Sequence, residues 1–435
     1  MSVTTPIEPL FEQLLLEASK DYQLNKDSLS DLKKASAEYF LETGLPNKKS
    51  ESYKFTSIPK FLNNKFDALS QTKKSAWSKE SIRNHFYNVG NANHLVFING
   101  RFDLDNSLIH TDASDMEVHT VNASSFDTID FLKGNFATAK GMAEDVFAHL
   151  NTAVFEDGLA IRVSKGADVA GTFVYNFVDG GAFSSPRIFV KAESSSRINF
   201  YERTVCSSTE ENHLNLSIAE FHIADNAEVR YTKVQNYSIN YYSIEGIYAD
   251  QGNNSRFYTN TYSFKAALIR NNIFITVDGE NAEAHMNGLY QLSGNTHVDN
   301  NTSVDHVKPN SYSNETYKGI LDEKSRGVFN GKIYVRPIAQ KTNAFQANNN
   351  ILLSEESIIH TKPQLEIWAD DVKCSHGCTT GQLDEEAIFY LRSRGISKTR
   401  AKALMLNAFA NETLLQVKEE LVKAEIEEIT TRKLG

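Results

Sequence analysis

From residue 168 onward a short pattern returns about every 30 residues: a small or polar turn, then a charged residue, then an apolar or small one. It reads Asp168-Val169, Arg197-Ile198, Glu228-Val229, Arg256-Phe257, Glu283-Ala284 and Arg326-Gly327, with separations of 29, 31, 28, 27 and 43 residues. A unit of that length holds two or three short strands and cannot bury an apolar side alone, whereas stacked units can. The period favours a β-solenoid; a β-sandwich is the competing architecture that the residues leave open. Asn271-Asn272, Asn300-Asn301 and Asn348-Asn349-Asn350 read as solenoid corners, because asparagine tolerates the left-handed region and bonds its own backbone.

Strand character extends from about residue 155 to 373, where Val, Ile, Thr, Tyr and Phe dominate between Gly, Asn, Asp and Ser clusters. Alternation shows where Val229 and Tyr231 interleave with Glu228 and Arg230, and where Ile273, Ile275 and Val277 interleave with Phe274 and Thr276. The flanks are different. Leu10, Leu14, Leu15 and Ala18, then Leu29, Leu32, Ala35, Tyr39 and Phe40, make two helical stripes that end at Gly44-Leu45-Pro46. Between about 50 and 150 short strands and helices mix, the clearest strand being Leu95 to Ile98, closed by a turn at Asn99-Gly100. Beyond residue 382, Asp384 and Ser397 are placed to cap helices, and a charged third segment runs from Glu412 to Arg432. Its broad apolar face, including Leu414, Val417, Val422, Ile426 and Ile429, needs a cover from the domain itself or from a partner. The expected organisation is a helical and mixed region over 1–150, a β-core over 151–380 and a helical region over 381–435.

With 45 basic against 55 acidic side chains and no dense Lys/Arg run, nucleic acid is excluded as the main partner. No stretch approaches the 18 or so consecutive apolar residues of a membrane span, so no membrane insertion is expected. Three cysteines, Cys206, Cys374 and Cys378, are too few for a disulfide framework and suit a reducing compartment. Together with an N-terminus unlike a secretory signal, this makes a cytoplasmic location the expectation.

The nucleotide-binding and hydrolase motifs are missing. The nearest approach to a P-loop, Gly327 to Ile333, is one residue short and ends on Ile333 where a hydroxyl is needed; G-x-G-x-x-G, G-x-S-x-G and H-E-x-x-H do not occur. Asp370 and Asp371 raise the paired-carboxylate chemistry of β-helical polysaccharide enzymes, but neighbours on a strand point to opposite faces. What remains is Cys374-Ser375-His376-Gly377-Cys378. If it continues the strand from Gln364, then Cys374, His376 and Cys378 share a face, as do Glu366, Trp368 and Asp370 before them. Thiolate and imidazole suit zinc, Fe(II) or an iron–sulfur cluster. Three such groups are one short of a closed four-ligand set, so a further ligand must come from water, another region or another chain. The alternative is that both cysteines are small core residues and His376 a hydrogen-bonded turn residue. Cys206 reads as core and His306 as a loop histidine.

The run Lys362-Pro363-Gln364-Leu365-Glu366-Ile367, Ala369 to Gly377 and Phe389 to Ile396 closely resembles the C-terminal signature of the SufB/SufD family of iron–sulfur cluster assembly proteins. Tyr317 to Ile320, Val328 to Lys332, Ala339 to Thr342 and Asn348 to Leu353 resemble it too, the likeness being dense from about 300 to 410. It is most like the SufD branch, because Lys373 to Gly377 stands where SufB proteins carry a Glu-His-Glu-Ala-type segment. Gly44-Leu45-Pro46 and Glu51 to Thr56 also resemble that branch, with Tyr53 where Trp is usual; Cys378, where many SufD sequences place Ala, is read as a small residue.

The resemblance implies a right-handed parallel β-helix core between helical ends, and a scaffold subunit rather than an enzyme. It implies a SufB-like partner and a separate SufC-like ATPase, which the C-terminal helices are expected to dock. It implies iron entry and nascent cluster formation at the SufB–SufD interface, with Cys374 and His376 as metal-binding positions. Iron or a transient cluster would be shared with the partner, and reduced flavin is associated with some family complexes. The other reading is a β-helical structural or binding protein with inert cysteines.

Overall fold

The computed structural model describes residues 8–24, 27–47, 49–69, 75–179, 183–207 and 210–433. From Arg187 onward successive strands fall alternately into two ten-strand sheets, so each coil gives one strand to each sheet and pairs in parallel with the coils on either side. This is the parallel β-solenoid that the period favoured, and the sandwich reading falls.

The repeat marks the coils directly. Asp168, Arg197, Glu228, Arg256 and Glu283 are register partners in consecutive strands of the first sheet. Arg326 is not the next member: the partner of Glu283 is Tyr312, and Arg326 opens a strand of the facing sheet beside His297. The separation of 43 residues is one coil plus the crossing to the opposite sheet.

Two residues before each of these strands the backbone turns left-handed, at Gly166, Ser195, Asn226, Asn254, Asn281, Asn310 and Lys341. A small buried residue follows each turn, such as Ala227, Ser255, Ala282 and Ser311. The left-handed residue gives the sharp corner and the small one lets the next coil close on it. The asparagines expected at corners are elsewhere. Asn271 and Asn300 are register partners inside buried strands, where Asn271 Nδ2 donates to Asn300 Oδ1 across 2.8 Å. Asparagine serves here as a ladder residue, since coil stacking supplies a partner amide at each step.

The solenoid is covered on both outer faces. Helices Glu8–Leu24 and Ser28–Thr43 form the expected hairpin; Asp27 caps the second, and Gly44 at φ 69° ends it. With helix Val146–Val154 they bury Phe11, Phe40 and Leu150 against Leu216, Ile244 and Leu268 of the second sheet. Asn99 and Gly100, both at positive φ, close the hairpin from Asn93–Ile98 to Arg101–Leu108 that ends the first sheet.

Asp384 and Ser397 cap helices Glu385–Ser393 and Lys398–Leu414 as expected, and helix Glu420–Arg432 follows. The face left in need of a cover is covered by the chain itself: Leu414, Val417, Val422, Ile426 and Ile429 pack on Val234, Tyr262, Phe264 and Leu289 of the first sheet. Tyr262 OH donates to the Thr413 carbonyl at 2.7 Å, and Lys433 Nζ to the carbonyls of Phe264 and Gln291 at 2.6 and 2.9 Å.

Candidate functional site

The two ends of the solenoid differ. At its start the sheets finish in antiparallel strands, Arg101–Leu108 and Met116–Val121; at its finish they end in Ile358–Ile367 and Lys373–Gly381, each paired on one side only among the described residues. The final strand is the most exposed of the solenoid. An unpaired strand edge of this kind is a template for another strand.

Cys374, His376 and Cys378 lie in that final strand, in register with Ala344, Gln346 and Asn348, all three of which are buried. They therefore stand on the inward side of the last coil, where no further coil covers them. The segment is not continuous with Gln364 to Ile367. A turn at 368–372 separates two strands in different sheets, so Glu366 and Trp368 point away from the cysteines: Glu366 lies 3.9 Å from Lys332, and Trp368 stacks on Tyr334 outside the solenoid.

Cys374 is half-buried against Ile333, Val335, Ala339, Ala344 and Ala369, and burial pushes its thiol pKa up. The isolated chain thus holds this sulfur protonated at neutral pH, and a metal must displace that proton to bind it. His376 and Cys378 are exposed. Among the described residues no group of three or more His, Cys, Asp or Glu side chains is arranged to hold a metal ion.

The other candidates are engaged in the core. His306 ends a strand and is fully buried, with Ser311 Oγ at 2.7 Å from Nδ1 and Ser313 Oγ at 2.9 Å from Nε2, and burial lowers its pKa to about 3. Cys206 packs at the edge of the main core, its thiol pushed up to about 12 by burial.

Beneath the open end the interior becomes polar. Gln346, directly under His376, donates from Nε2 to Glu315 Oε2 at 2.6 Å, one coil further in. Burial raises Glu315 to about 7. Deeper still, Lys233 Nζ lies 2.8 Å from Glu202 and 2.5 Å from Glu245. Burial opposes the Lys233 charge, but the two carboxylates outweigh it and hold the ammonium above its usual range. These interior groups were missed in the sequence. The available signal was that Glu202 and Lys233 occupy the same position in adjacent coils.

A strap outside the second sheet reaches the last coil. Arg270 stacks over Tyr53 and donates to the Ser52 carbonyl at 2.8 Å, and Thr56 bonds His297 at 2.9 Å. Glu51 bridges Lys332 at 3.2 Å and Lys362, and their hydrogen bonds hold its carboxyl near pKa 2. The strap therefore ties the coil bearing Cys374 to the body of the molecule.

Residues 175–409 match the family of the SUF system FeS cluster assembly SufBD core domain, and residues 9–173 match the SufBD protein N-terminal region. An iron–sulfur cluster assembly SufBD family protein of Synechocystis is 28% identical over 430 residues, covering 94% of this chain and 91% of its own length. The iron–sulfur cluster assembly protein SufD of Escherichia coli is 28% identical over 402 residues, covering 89% and 88%. The solenoid, its helical covers and these matches along nearly the whole chain lead to one assignment: the chain belongs to the SufBD family of iron–sulfur cluster assembly proteins.

Proposed function

We propose that this protein is the SufD-like half of a two-solenoid scaffold, and that Cys374 and His376 give ligands to iron or a nascent cluster which a SufB-like partner completes. The observation that carries the reading is the open last coil, whose unpaired strand presents a thiol and an imidazole at its inward side. A cluster held by protein needs about four ligands. The lone chain supplies fewer, and a second solenoid docked at this edge brings the remainder. Iron and sulfide are the cargo of such a site.

The chain has no P-loop, so nucleotide-driven opening of the interface falls to a separate SufC-like ATPase. Its docking surface is helix Glu385–Ser393, where Phe389 and Tyr390 are 72% and 58% exposed, rather than the terminal helix, whose apolar face is already covered.

The test is anaerobic co-expression with the SufB- and SufC-like proteins of the same organism, followed by iron and sulfide counts per complex. Cys374→Ala and His376→Ala should each reduce the counts to those of a complex lacking this subunit, and Cys378→Ala should not. Full counts in both of the first two variants would end the proposal. Phe389→Asp should abolish co-purification of the ATPase while the melting curve of the subunit is unchanged.

A further inference from the structure

The last coil ends the core without closing it. In strand Ile358–Ile367 the side chains of Ile359, Leu365 and Ile367 continue the inward columns of Gly327, Ile333 and Val335, and behind them those of Val298, Val304 and His306. Coils on both sides leave Val298, Val304, Ile333 and Val335 fully buried. The final members of the same columns are not: Ile359 and Leu365 are half-buried and Ile367 is 37% exposed. On the sheet facing Cys374 and His376, the open end is therefore a cross-section of the hydrophobic core. Covering it is favourable by about 25 cal/mol for each Å² of apolar surface removed from water.

An aromatic corner stands beside this cross-section. Trp368 directly follows Ile367, is 49% exposed and stacks parallel to Tyr334 at 6.3 Å between ring centres. The Arg336 guanidinium lies 5.3 Å from the Trp368 ring and 5.4 Å from that of Tyr334, and it donates two bonds of 2.8 Å to Asp305. The indole is thus oriented before anything binds, which lowers the entropy lost on association. Ile338, 60% exposed, belongs to the corner loop of the preceding coil, which Asp371 joins by donating its N–H to Gln340 Oε1 at 2.9 Å. Trp, Tyr and Arg are the side chains that most often anchor interfaces, and an exposed apolar strip running from core to rim marks a contact surface.

The strand between core and corner narrows the occupant. Ile358–Ile367 is paired on one side only among the described residues, so its free edge calls for a partner strand. The core cross-section calls for an apolar face, as in an obligate interface that resembles a core cut in half. The open end of a second parallel solenoid offers both at once. Given the two-solenoid pairing proposed above, on which this rests, we propose that Ile367 and Trp368 anchor the SufB-like solenoid, whose open end covers the core cross-section and receives the indole in an apolar slot.

Trp77 is the other tryptophan of the chain. Trp77→Phe leaves Trp368 as the sole reporter, and 5-hydroxytryptophan incorporated into this chain alone is excited apart from the tryptophans of the partner. Acrylamide quenching is measured on the full chain with and without the SufB-like protein of the same organism, with a chelator present so that no metal bridges the two. Quenching should fall severalfold in the complex. Trp368→Ala should weaken pairing by about thirtyfold, equivalent to ~2 kcal/mol, and Trp368→Phe should recover part of the loss. Ile239→Ala removes a side chain that is 63% exposed on a coil remote from the open end, and should pair as the parent does. If Trp368→Ala shifts the melting curve of the subunit, quenching of the intact Trp368 decides alone. A complex in which Trp368 stays as quenchable as in the free chain, or a well-folded Trp368→Ala that pairs as tightly as the parent, would overturn the anchor and leave the two-solenoid reading standing. Absence of any complex with the unaltered chain would overturn both.

Discussion

Glu315 and Gln346 occupy one inward column in successive coils, 2.6 Å apart, and His376 is the next residue of that column. Burial raises the Glu315 carboxyl from 4.5 to about 7. The folded protein therefore keeps a proton that the unfolded chain gives up near pH 4.5, so stability falls as pH rises from there to about 7 and levels off above it. The full penalty is roughly 3 kcal/mol at 1.36 kcal/mol per pKa unit. Glu315→Gln should remove it. Melting temperatures at pH 5 and pH 8 should converge for the variant relative to the parent protein; identical pH profiles would show that Glu315 ionises without cost.

Arg187 and Glu220 form an ion pair at 2.5 Å, both side chains wholly buried. Glu220 also accepts from the backbone N–H groups of Ala137, Thr138 and Ala139, which fixes that loop on the second sheet. Glu220→Ala strands the guanidinium and should lower stability by about 3–5 kcal/mol. The shift of the guanidinium chloride midpoint reads this, and a midpoint within error of the parent would contradict it.

Thiol reactivity should rank Cys378 first, Cys374 second and Cys206 last, following exposed, half-buried and core positions, with burial raising the second and third thiols. Timed iodoacetamide labelling of the native chain, resolved by peptide mass spectrometry, measures the order. Docking of a SufB-like partner should then protect Cys374 and Cys378 while leaving Cys206 unchanged.

Removing residues 412–435 should not leave an intact solenoid. It strips Val422, Ile426 and Ile429 from Val234, Tyr262 and Phe264, and each buried apolar side chain is worth about 1.5–3 kcal/mol. A lower melting temperature and strong dye binding to exposed apolar surface are expected; a melt equal to that of the full chain would mean that the helix packs only loosely.

The coils were legible because the charged residue after each corner recurs in the chain at the spacing at which it recurs in space, as Asp168, Arg197, Glu228 and Arg256 do. The pattern failed where chemistry changed but geometry did not: Tyr312 continues the column of Glu283 without a charge, so the eye passes to Arg326 on the other sheet. Cys374 and His376 stood out as a local motif. Their setting did not, since the inward side of the last coil is defined only against Ala344 and Gln346 of the coil before it.

The two ends of the solenoid are built from different kinds of strand, antiparallel at the start and parallel at the finish. When two such rods meet bare end to bare end, both remaining tips are of the finished kind, made by the antiparallel strands Arg101–Leu108 and Met116–Val121 and carrying no parallel edge to extend. In the proposed pairing with a SufB-like solenoid, the same edge that would seed a filament in a rod with two such ends is spent on a single partner.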